Sequence, residues 1–294
     1  DVRNYGTVGT ADDSVTMAAA IAAVCVGGEV VIPAGITVTI DNVTLTSRKI
    51  SGRGTLKWVT GSTNPMLTMA GVSPCLAGVT IDGESANHGT TVAVVTSSAT
   101  QPRFEHLIVK NFRYKFFLSD AVNSPGGQVA GCYFYNCAQV NDSDIFGVRS
   151  SRWSFVGCDF EHVTSLGHMI RFGQYAVAVG VAVTDCRVIG CSFFDSAECA
   201  IVCETLTQEC VIDGCTFRDC ADGGVKCEGD VLELVKNITI SDCTFDTITS
   251  ATNAPFQWGV PGTYVNNRCY DCNGGFSLVG GSLVEGNYLE NCGA

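Results

Sequence analysis

The stretch Gly131-Cys132-Tyr133-Phe134 decides the fold, because it recurs along the chain with only small changes. Copies stand at Gly157–Phe160, Gly190–Phe193 and Gly214–Phe217, and a near copy runs over Asp242–Phe245. Within each copy, Cys and Phe alternate with more polar residues, which is the period of a strand that buries one face. A constant kernel separated by variable spacers indicates a solenoid whose loops differ from coil to coil.

The spacing of the kernel phenylalanines predicts the coil length. Their separations are 22, 26, 33, 24 and 28 residues for the series Phe112, Phe134, Phe160, Phe193, Phe217 and Phe245. Leucine-rich arrays would show a Leu consensus, and propellers would repeat at roughly 40 residues. We therefore predict an all-β, right-handed parallel β-helix in which like residues stack about 4.8 Å apart on successive coils.

The N-terminal segment predicts a cap for the open end of this solenoid, where an uncovered sheet edge would pair with other chains. Asp12–Ser14 is a favourable helix start, and Val15–Val24 has the pattern of an Ala-rich amphipathic helix. We expect a cap helix and first strand over 1–40 and the parallel β-helix over 41–294. We also expect the β-helix to continue, or to be capped, beyond the last residue.

Composition narrows the function. A net charge of −12 argues against nucleic acid as a partner, because phosphate binding requires clustered Lys and Arg. No apolar run reaches the roughly 18 residues of a membrane span. The 17 cysteines are an odd number, and many occupy one kernel position, which favours buried thiols and assembly in a reducing cytoplasm over a secreted, disulfide-bonded protein. No spacing typical of a metal site is present, and we expect neither a metal nor a cofactor.

Four motifs resemble the opening coils of pectate-lyase-like β-helices, a superfamily that includes phage tailspikes and glycan depolymerases. They are Asp1–Gly6, Gly27–Gly35, Ile50–Gly54 and Val79–Gly83. The resemblance extends in pattern over the whole chain. It implies the fold and a polysaccharide partner, and it is not specific for one reaction.

A column of acidic residues and an imidazole is the first candidate site. Asp120, Asp142 and His168 each lie eight residues after a kernel Phe, and Asp144 follows on the same strand face. Glycoside hydrolysis needs one carboxyl group as acid and a second as base or nucleophile, and stacked carboxylates separate in pKa. The set resembles that of polygalacturonases, although it lacks their adjacent Asp pair. The alternative is that Asp120 and Asp142 are turn residues.

Substrate-binding residues are predicted from a second column and from aromatic positions. Arg171, Glu204 and Glu228 lie eleven residues after a kernel Phe and are expected to point outward. They would bind sugar hydroxyls, or form an exposed Arg–Glu ladder worth at most about 1 kcal/mol per pair. Trp153 and Tyr175 are expected at outward or loop positions, where a ring can stack on a sugar.

Together these features predict a tailspike-like protein that binds and hydrolyses a bacterial surface polysaccharide, either a capsule or an O-antigen. The resemblance implies a homotrimer in a virion tail, assembled in the host cytoplasm. Two alternatives remain open: a receptor spike that grips the glycan without cleaving it, and a secreted hydrolase or lyase of the pectinase kind. A lyase ranks behind a hydrolase, because Arg171 beside His168 is the single basic candidate near the column.

Overall fold

Three parallel sheets surround one hydrophobic core in the computed structural model. It describes residues 1–83, 92–119, 126–138, 144–163, 167–173, 182–227, 235–249, 256–257, 261–274, 276–277 and 281–293. Each strand pairs in parallel with the equivalent strands of the coils before and after it. The prediction of a parallel β-helix is confirmed. In the described ranges, no helix has the length and apolar character needed to cross a membrane.

Over most of the described chain, each coil contributes one strand to each of the three sheets. The first sheet has 11 strands: β1 (Glu29–Ile32), β4 (Lys49–Gly52), β7 (Cys75–Ala77), β10 (Arg103–Glu105), β13 (Gly127–Ala130), β16 (Trp153–Val156), β20 (Arg187–Ile189), β24 (Val211–Asp213), β27 (Ile238–Ser241), β30 (Gly262–Val265) and β33 (Leu283–Glu285). The second sheet also has 11: β2 (Thr37–Ile40), β5 (Thr55–Trp58), β8 (Thr80–Asp82), β11 (Ile108–Lys110), β14 (Tyr133–Tyr135), β17 (Asp159–Val163), β21 (Ser192–Ser196), β25 (Thr216–Cys220), β28 (Thr244–Asp246), β31 (Arg268–Tyr270) and β34 (Tyr288–Glu290).

The third sheet and a small accessory sheet complete the coils. The third sheet has 10 strands: β3 (Val43–Thr46), β6 (Leu67–Val72), β9 (Val92–Thr100), β12 (Lys115–Leu118), β15 (Phe146–Val148), β18 (Ile170–Phe172), β22 (Ile201–Cys203), β26 (Val225–Cys227), β29 (Phe256–Gln257) and β32 (Phe276–Ser277). The accessory sheet pairs β19 (Val183–Thr184) with β23 (Thr207–Gln208).

The kernel phenylalanines form a stack along the inside of the second sheet. Successive rings lie 4.6–5.0 Å apart and within 11° of parallel, in the order Phe134, Phe160, Phe193, Phe217 and Phe245. The expected spacing of about 4.8 Å is thus confirmed. Phe112 does not belong to this stack, because β11 places Val109 opposite Phe134. The alignment of the sequence repeat is therefore wrong by three residues in that coil.

A left-handed residue turns the chain between the first and second sheets. It stands two positions before each second-sheet strand from β8 onward, with φ between 52° and 69°: Gly78, His106, Gly131, Gly157, Gly190, Gly214, Asp242, Asn266 and Gly286. An L-residue loses about 1–2 kcal/mol in this conformation, and Gly, Asn and Asp tolerate it best. The Gly of the kernel is therefore a backbone requirement of the turn.

The kernel cysteine satisfies a backbone group inside this turn. Leu107 N lies 3.4 Å from Cys132 Sγ of the next coil, and Cys215 N lies 3.4 Å from Cys243 Sγ. In the coil after Cys243 the kernel position is Asn267, and its Oδ1 accepts a hydrogen bond from Cys243 N at 3.0 Å. In these coils the position holds a small side chain that accepts a hydrogen bond, whereas an earlier coil fills it with the apolar Leu107. All 17 cysteines are free thiols in the structure.

The cap helix α1 (Ser14–Ala23) follows a short 3₁₀ helix (Val2–Tyr5) and packs Met17, Ala20 and Ile21 into the core. Its N-cap residue, Asp13, does not cap the helix with its side chain.

Asp13 instead closes the free edge of β2. Its Oδ2 accepts Thr39 N at 3.0 Å and Gly9 N at 3.0 Å, while Oδ1 accepts Thr10 N at 3.1 Å and the Thr10 hydroxyl. Burial opposes the charged form of this carboxylate, but the hydrogen bonds from Thr10, Thr39 and Gly9 outweigh it and lower its pKa.

We expect Asp13→Ala to lower the free energy of unfolding by about 2–4 kcal/mol, because several hydrogen bonds to a buried carboxylate are lost. Since the folded-state pKa is below the unfolded one, the contribution of Asp13 is complete above the unfolded value and disappears as pH falls through the folded value. Denaturant titration at pH 7 and pH 3 measures both effects. If the difference in free energy of unfolding between wild type and Asp13→Asn did not shrink on acidification, the charged state of Asp13 would not be the source of its contribution.

The turn between the first and second sheets gives a second prediction. Gly157 has φ 57°, and a Cβ built there meets no neighbour within 4 Å, so only backbone strain opposes a side chain. We expect Gly157→Val to lower the free energy of unfolding by about 1–2 kcal/mol or more, and Gly157→Asn to be tolerated as Asn266 is. Thermal unfolding compares the two; an equal loss would show that the φ requirement is not what selects Gly.

Candidate functional site

Charged side chains meet on the third sheet beside β15 and β18. Arg171 faces away from the core, because it alternates with two fully buried residues of β18. Asp144 lies just before β15. Its Oδ2 accepts a hydrogen bond from Lys115 Nζ at 2.5 Å, and its Oδ1 accepts one from Arg171 Nε at 3.1 Å. The Asp144 side chain has no exposed surface, while those of Lys115 and Arg171 are 17% and 23% exposed. One buried carboxylate thus holds two cations from neighbouring coils.

Glu204 extends this arrangement by one coil. It follows β22 directly, and Arg171 Nη1 lies 3.2 Å from its Oε1. The predicted Arg–Glu pairing therefore exists, but Glu204 is completely buried rather than part of an exposed ladder. Lys115, Asp144, Arg171 and Glu204 are called the ionic cluster below.

His168 and Glu198 lie at the margin of the ionic cluster. The backbone N–H of His168 donates to Asp144 Oδ1 at 3.3 Å. His168 Nδ1 lies 3.2 Å from Cys199 O and 3.1 Å from Cys199 Sγ, and Nε2 lies 3.5 Å from Glu198 Oε2. The Glu198 side chain is 26% exposed, so it is the carboxylate of this group that solvent reaches most readily.

The register of the third sheet explains which residues meet. Phe146 of β15 lies opposite Ile170 of β18, and Ile145 N donates to His168 O, so Asp144 and His168 are level. A count of eight residues from the kernel Phe predicts instead that residue 142 is the one level with His168. The coil before β15 is two residues longer at this point, since Asp144 stands ten residues after its kernel Phe. On the preceding coil Lys115 is level with Asp144.

Four predicted site residues lie outside the described residues: Asp120, Asp142, Glu228 and Tyr175. Their roles remain predictions. Of the others, Asp144, His168, Arg171 and Glu204 are brought together, and Trp153 is not among them.

The prediction that Trp153 binds substrate is wrong. Its indole is fully buried, 5.0 Å from the ring of Phe117, and Nε1 donates to Ser150 Oγ at 2.9 Å. Trp153 and Phe155 are the inward residues of β16. The predicted alternation of inward and outward residues is therefore shifted by one residue in this strand.

Glu198 and Lys115 were missed by sequence reasoning. Neither follows a kernel Phe at a repeated interval, because the loops between the second and third sheets differ in length from coil to coil. The available signal was weak: each lies a few residues before or at the start of a short apolar third-sheet strand.

Aromatic residues project outward from the second sheet. Tyr133 and Tyr135 stack with ring centroids 6.3 Å apart, and Arg218 lies 4.3 Å over the ring of Phe194. Tyr133 donates its hydroxyl to Glu161 Oε2 at 2.5 Å, and this hydrogen bond, with burial, raises the pKa of Tyr133 to about 12. These rings face outward from a different sheet than the one carrying the ionic cluster.

Chemically, the arrangement offers charged and titratable groups. Glu198 and His168 form a carboxylate–imidazole pair 3.5 Å apart, and Arg171 holds a guanidinium on Asp144, which also accepts the His168 backbone N–H. Among the described residues, no three His, Cys, Asp or Glu side chains are grouped so as to hold a metal ion.

Comparison with known proteins gives the same architecture. A family model described as "Right handed beta helix region" matches residues 145–294, which is 150 of the 294 residues. No curated protein sequence matches the chain.

Three solved structures illustrate the similarity in fold. The tailspike of E. coli bacteriophage HK620, solved with a hexasaccharide, has a TM-score of 0.69 at 11% identity, covering 99% of this chain and 63% of that one. The ORF18 protein of Geobacillus virus E2 has a TM-score of 0.61 at 19% identity, covering 98% and 60%. The A-module of the Azotobacter vinelandii mannuronan C-5 epimerase AlgE6 has a TM-score of 0.63 at 13% identity, covering 99% and 98%. The chain thus spans less than two thirds of the two viral proteins.

Removal of the central carboxylate tests how the ionic cluster is held. We expect Asp144→Ala to lower the free energy of unfolding by about 3–5 kcal/mol, since Lys115 and Arg171 would lose the buried carboxylate that lies between them. A double-mutant cycle with Arg171→Met should give a coupling energy above about 1 kcal/mol.

The matched control is Asp159→Ala, which removes an exposed carboxylate from β17 and should change stability by less than about 0.5 kcal/mol. Equal effects of the two alanine variants would mean that the buried ion pairs contribute nothing to the fold.

Proposed function

The chain belongs to the right-handed β-helix family, and we propose that it is a tailspike-like protein that binds and hydrolyses a bacterial surface polysaccharide. The observation that carries the proposal is the ionic cluster with its His168–Glu198 margin. The likeness in fold to a tailspike solved with an oligosaccharide supports the substrate class.

The ionic cluster is not what the fold alone would select. Taking two cations and two carboxylates out of water costs free energy, and well-packed apolar residues in their place are often neutral or stabilising. The sheet accepts such a replacement, because Val202 of β22 occupies the register position of Arg171 and is fully buried. A charged, partly buried group at this position is therefore a candidate for function.

We assign roles by exposure. Glu198, the most exposed carboxylate, donates or accepts the proton in cleavage of the glycosidic bond, with His168 beside it. Arg171 binds the sugar chain, while Asp144 and Glu204 are positioning residues that fix its guanidinium. Asp120 and Asp142, which lie outside the described residues, remain candidates for the second carboxylate that hydrolysis requires.

The proposal extends to assembly. A tailspike-like protein is expected to form a homotrimer in a virion tail and to bind a capsule or an O-antigen. The free thiols support assembly in the reducing cytoplasm of a host cell.

A second function, glycan binding without cleavage, is favoured by one observation. Asp144 and Glu204 have no exposed surface, so neither contacts a polymer directly unless the site rearranges. In that case Arg171 and Glu198 would provide the contacts of a receptor spike.

Cleavage and binding are separated by measuring both on purified capsular and O-antigen polysaccharides. We expect the wild type to release reducing ends, and Glu198→Gln to lower that rate at least about 100-fold with binding retained. Glu209→Gln, the same change at an exposed residue of another corner, is the matched control and should leave the rate unchanged.

Binding without cleavage by the wild type would favour the receptor-spike function. Cleavage unaffected by both Glu198→Gln and Asp144→Asn would exclude this site. Absence of binding to every polysaccharide would contradict the proposed function as a whole.

A further inference from the structure

A polar cavity opens at the corner where coils pass from the third sheet to the first. Its volume is about 300 Å³, and its lining residues are Gln101, Arg103, Gly126, Gly127, Gln128 and Arg152. Three of them, Gln101, Gly126 and Arg152, stand at the same point of successive coils with left-handed φ of 54°, 77° and 64°. The cavity is thus framed by three consecutive coils of the regular solenoid.

Two consecutive glycines create the cavity. The flanking coils place the side chains of Gln101 and Arg152 at this corner, but Gly126 leaves the middle coil bare. A Cβ on Gly126 would make only ordinary van der Waals contacts, the nearest with Arg152 O at 3.5 Å, so a side chain there would fit and would occupy part of the cavity. Gly127 is required by the layer beneath, because a Cβ there would come within 2.5 Å of the buried Trp153 ring. The floor of the cavity is therefore glycine backbone, which packs on the indole of Trp153.

The lining is basic in a strongly acidic protein. Arg103 and Arg152 contribute two guanidinium groups, and none of the six lining residues is a carboxylate, against a net charge of −12 for the chain. Arg103 Nη1 also lies 3.3 Å from Glu105 Oε1, but this contact uses one of five guanidinium N–H donors. Arg152 is exposed. Guanidinium groups at a concave site favour an oxyanion, which they bind through paired hydrogen bonds.

We propose that this cavity binds an acidic sugar unit, with the carboxylate at Arg103 and Arg152 and the ring hydroxyls at Gln101 and Gln128. An amide side chain both donates and accepts hydrogen bonds, which suits hydroxyl groups. The ligand class rests on the proposed function, since it assumes a polysaccharide partner. The cavity itself lies on the first sheet and uses no residue of the ionic cluster on the third.

This site identifies the class of polysaccharide. A neutral glycan offers these guanidinium groups only hydroxyl acceptors, whereas a polymer with a uronate-type unit offers a carboxylate, which forms stronger, charge-assisted hydrogen bonds. It also supplies the local positive charge that an acidic protein needs to accept an anionic polymer.

The test is a calorimetric or NMR titration of the whole chain with glucuronate, glucose and inorganic phosphate. Glucuronate and glucose share a ring and differ in the carboxylate. We expect glucuronate to bind at least 10-fold more tightly than glucose, with its affinity falling as salt is raised. Arg152→Gln and Arg103→Gln should each weaken glucuronate binding about 10-fold.

The matched control is Arg187→Gln, an exposed arginine in the same column of the first sheet as Arg103 but outside the cavity, which should bind as the wild type does. Equal affinity of the wild type and both cavity variants for glucuronate would overturn the proposal. Phosphate binding as tightly as glucuronate would overturn the sugar assignment in favour of a general anion site.

Asp144→Asn and Glu198→Gln should leave glucuronate binding unchanged. The two proposals therefore fail separately. Loss of polysaccharide cleavage with intact glucuronate binding concerns only the ionic cluster. Unchanged glucuronate affinity in the Arg152 and Arg103 variants concerns only the cavity.

Discussion

A left-handed backbone residue at the same point of successive coils, from β8 onward, is the constraint on which the solenoid depends. Between the first and second sheets this residue is Gly, Asp, Asn or His with φ of 52–69°. Between the third and first sheets a similar column includes Gln101, Gly126 and Arg152. Because each such turn begins the next strand at a constant offset, strands of successive coils align and their inward residues stack. The phenylalanine stack and the thiol column are consequences of that alignment.

The same regularity explains where polar groups are tolerated. Inside the turn of several coils, a kernel thiol or an Asn amide accepts an N–H from the neighbouring coil. At the N-terminal end, Asp13 does for β2 what a further strand would do, accepting the Thr39 N–H at the edge. In each case a side chain provides a hydrogen bond that the sheet ladder cannot.

The two proposed sites lie where the coils depart from this regularity. The ionic cluster lies on the third sheet, where the coil before β15 is two residues longer than the count from its neighbour predicts. The cavity at Gly126 and Gly127 lies where one coil lacks the side chains that its neighbours place at the corner. A solenoid keeps its core constant and varies its loops, so distinctive chemistry concentrates at the points of variation.

The amino-acid sequence by itself determined the fold, the cap helix and the inward phenylalanines, because these follow from local periodicity and from the residues that left-handed turns tolerate. It also placed Asp144, His168, Arg171 and Glu204 among the site candidates. Tertiary structure alone decided that Asp144 is level with His168, that Lys115 and Glu198 join them, and that Trp153 is core. Those relations depend on the lengths of the loops between strands. Loop lengths follow no sequence period, so the sequence pattern does not predict them. Burial of the ionic cluster likewise depends on packing between coils, which no single strand encodes.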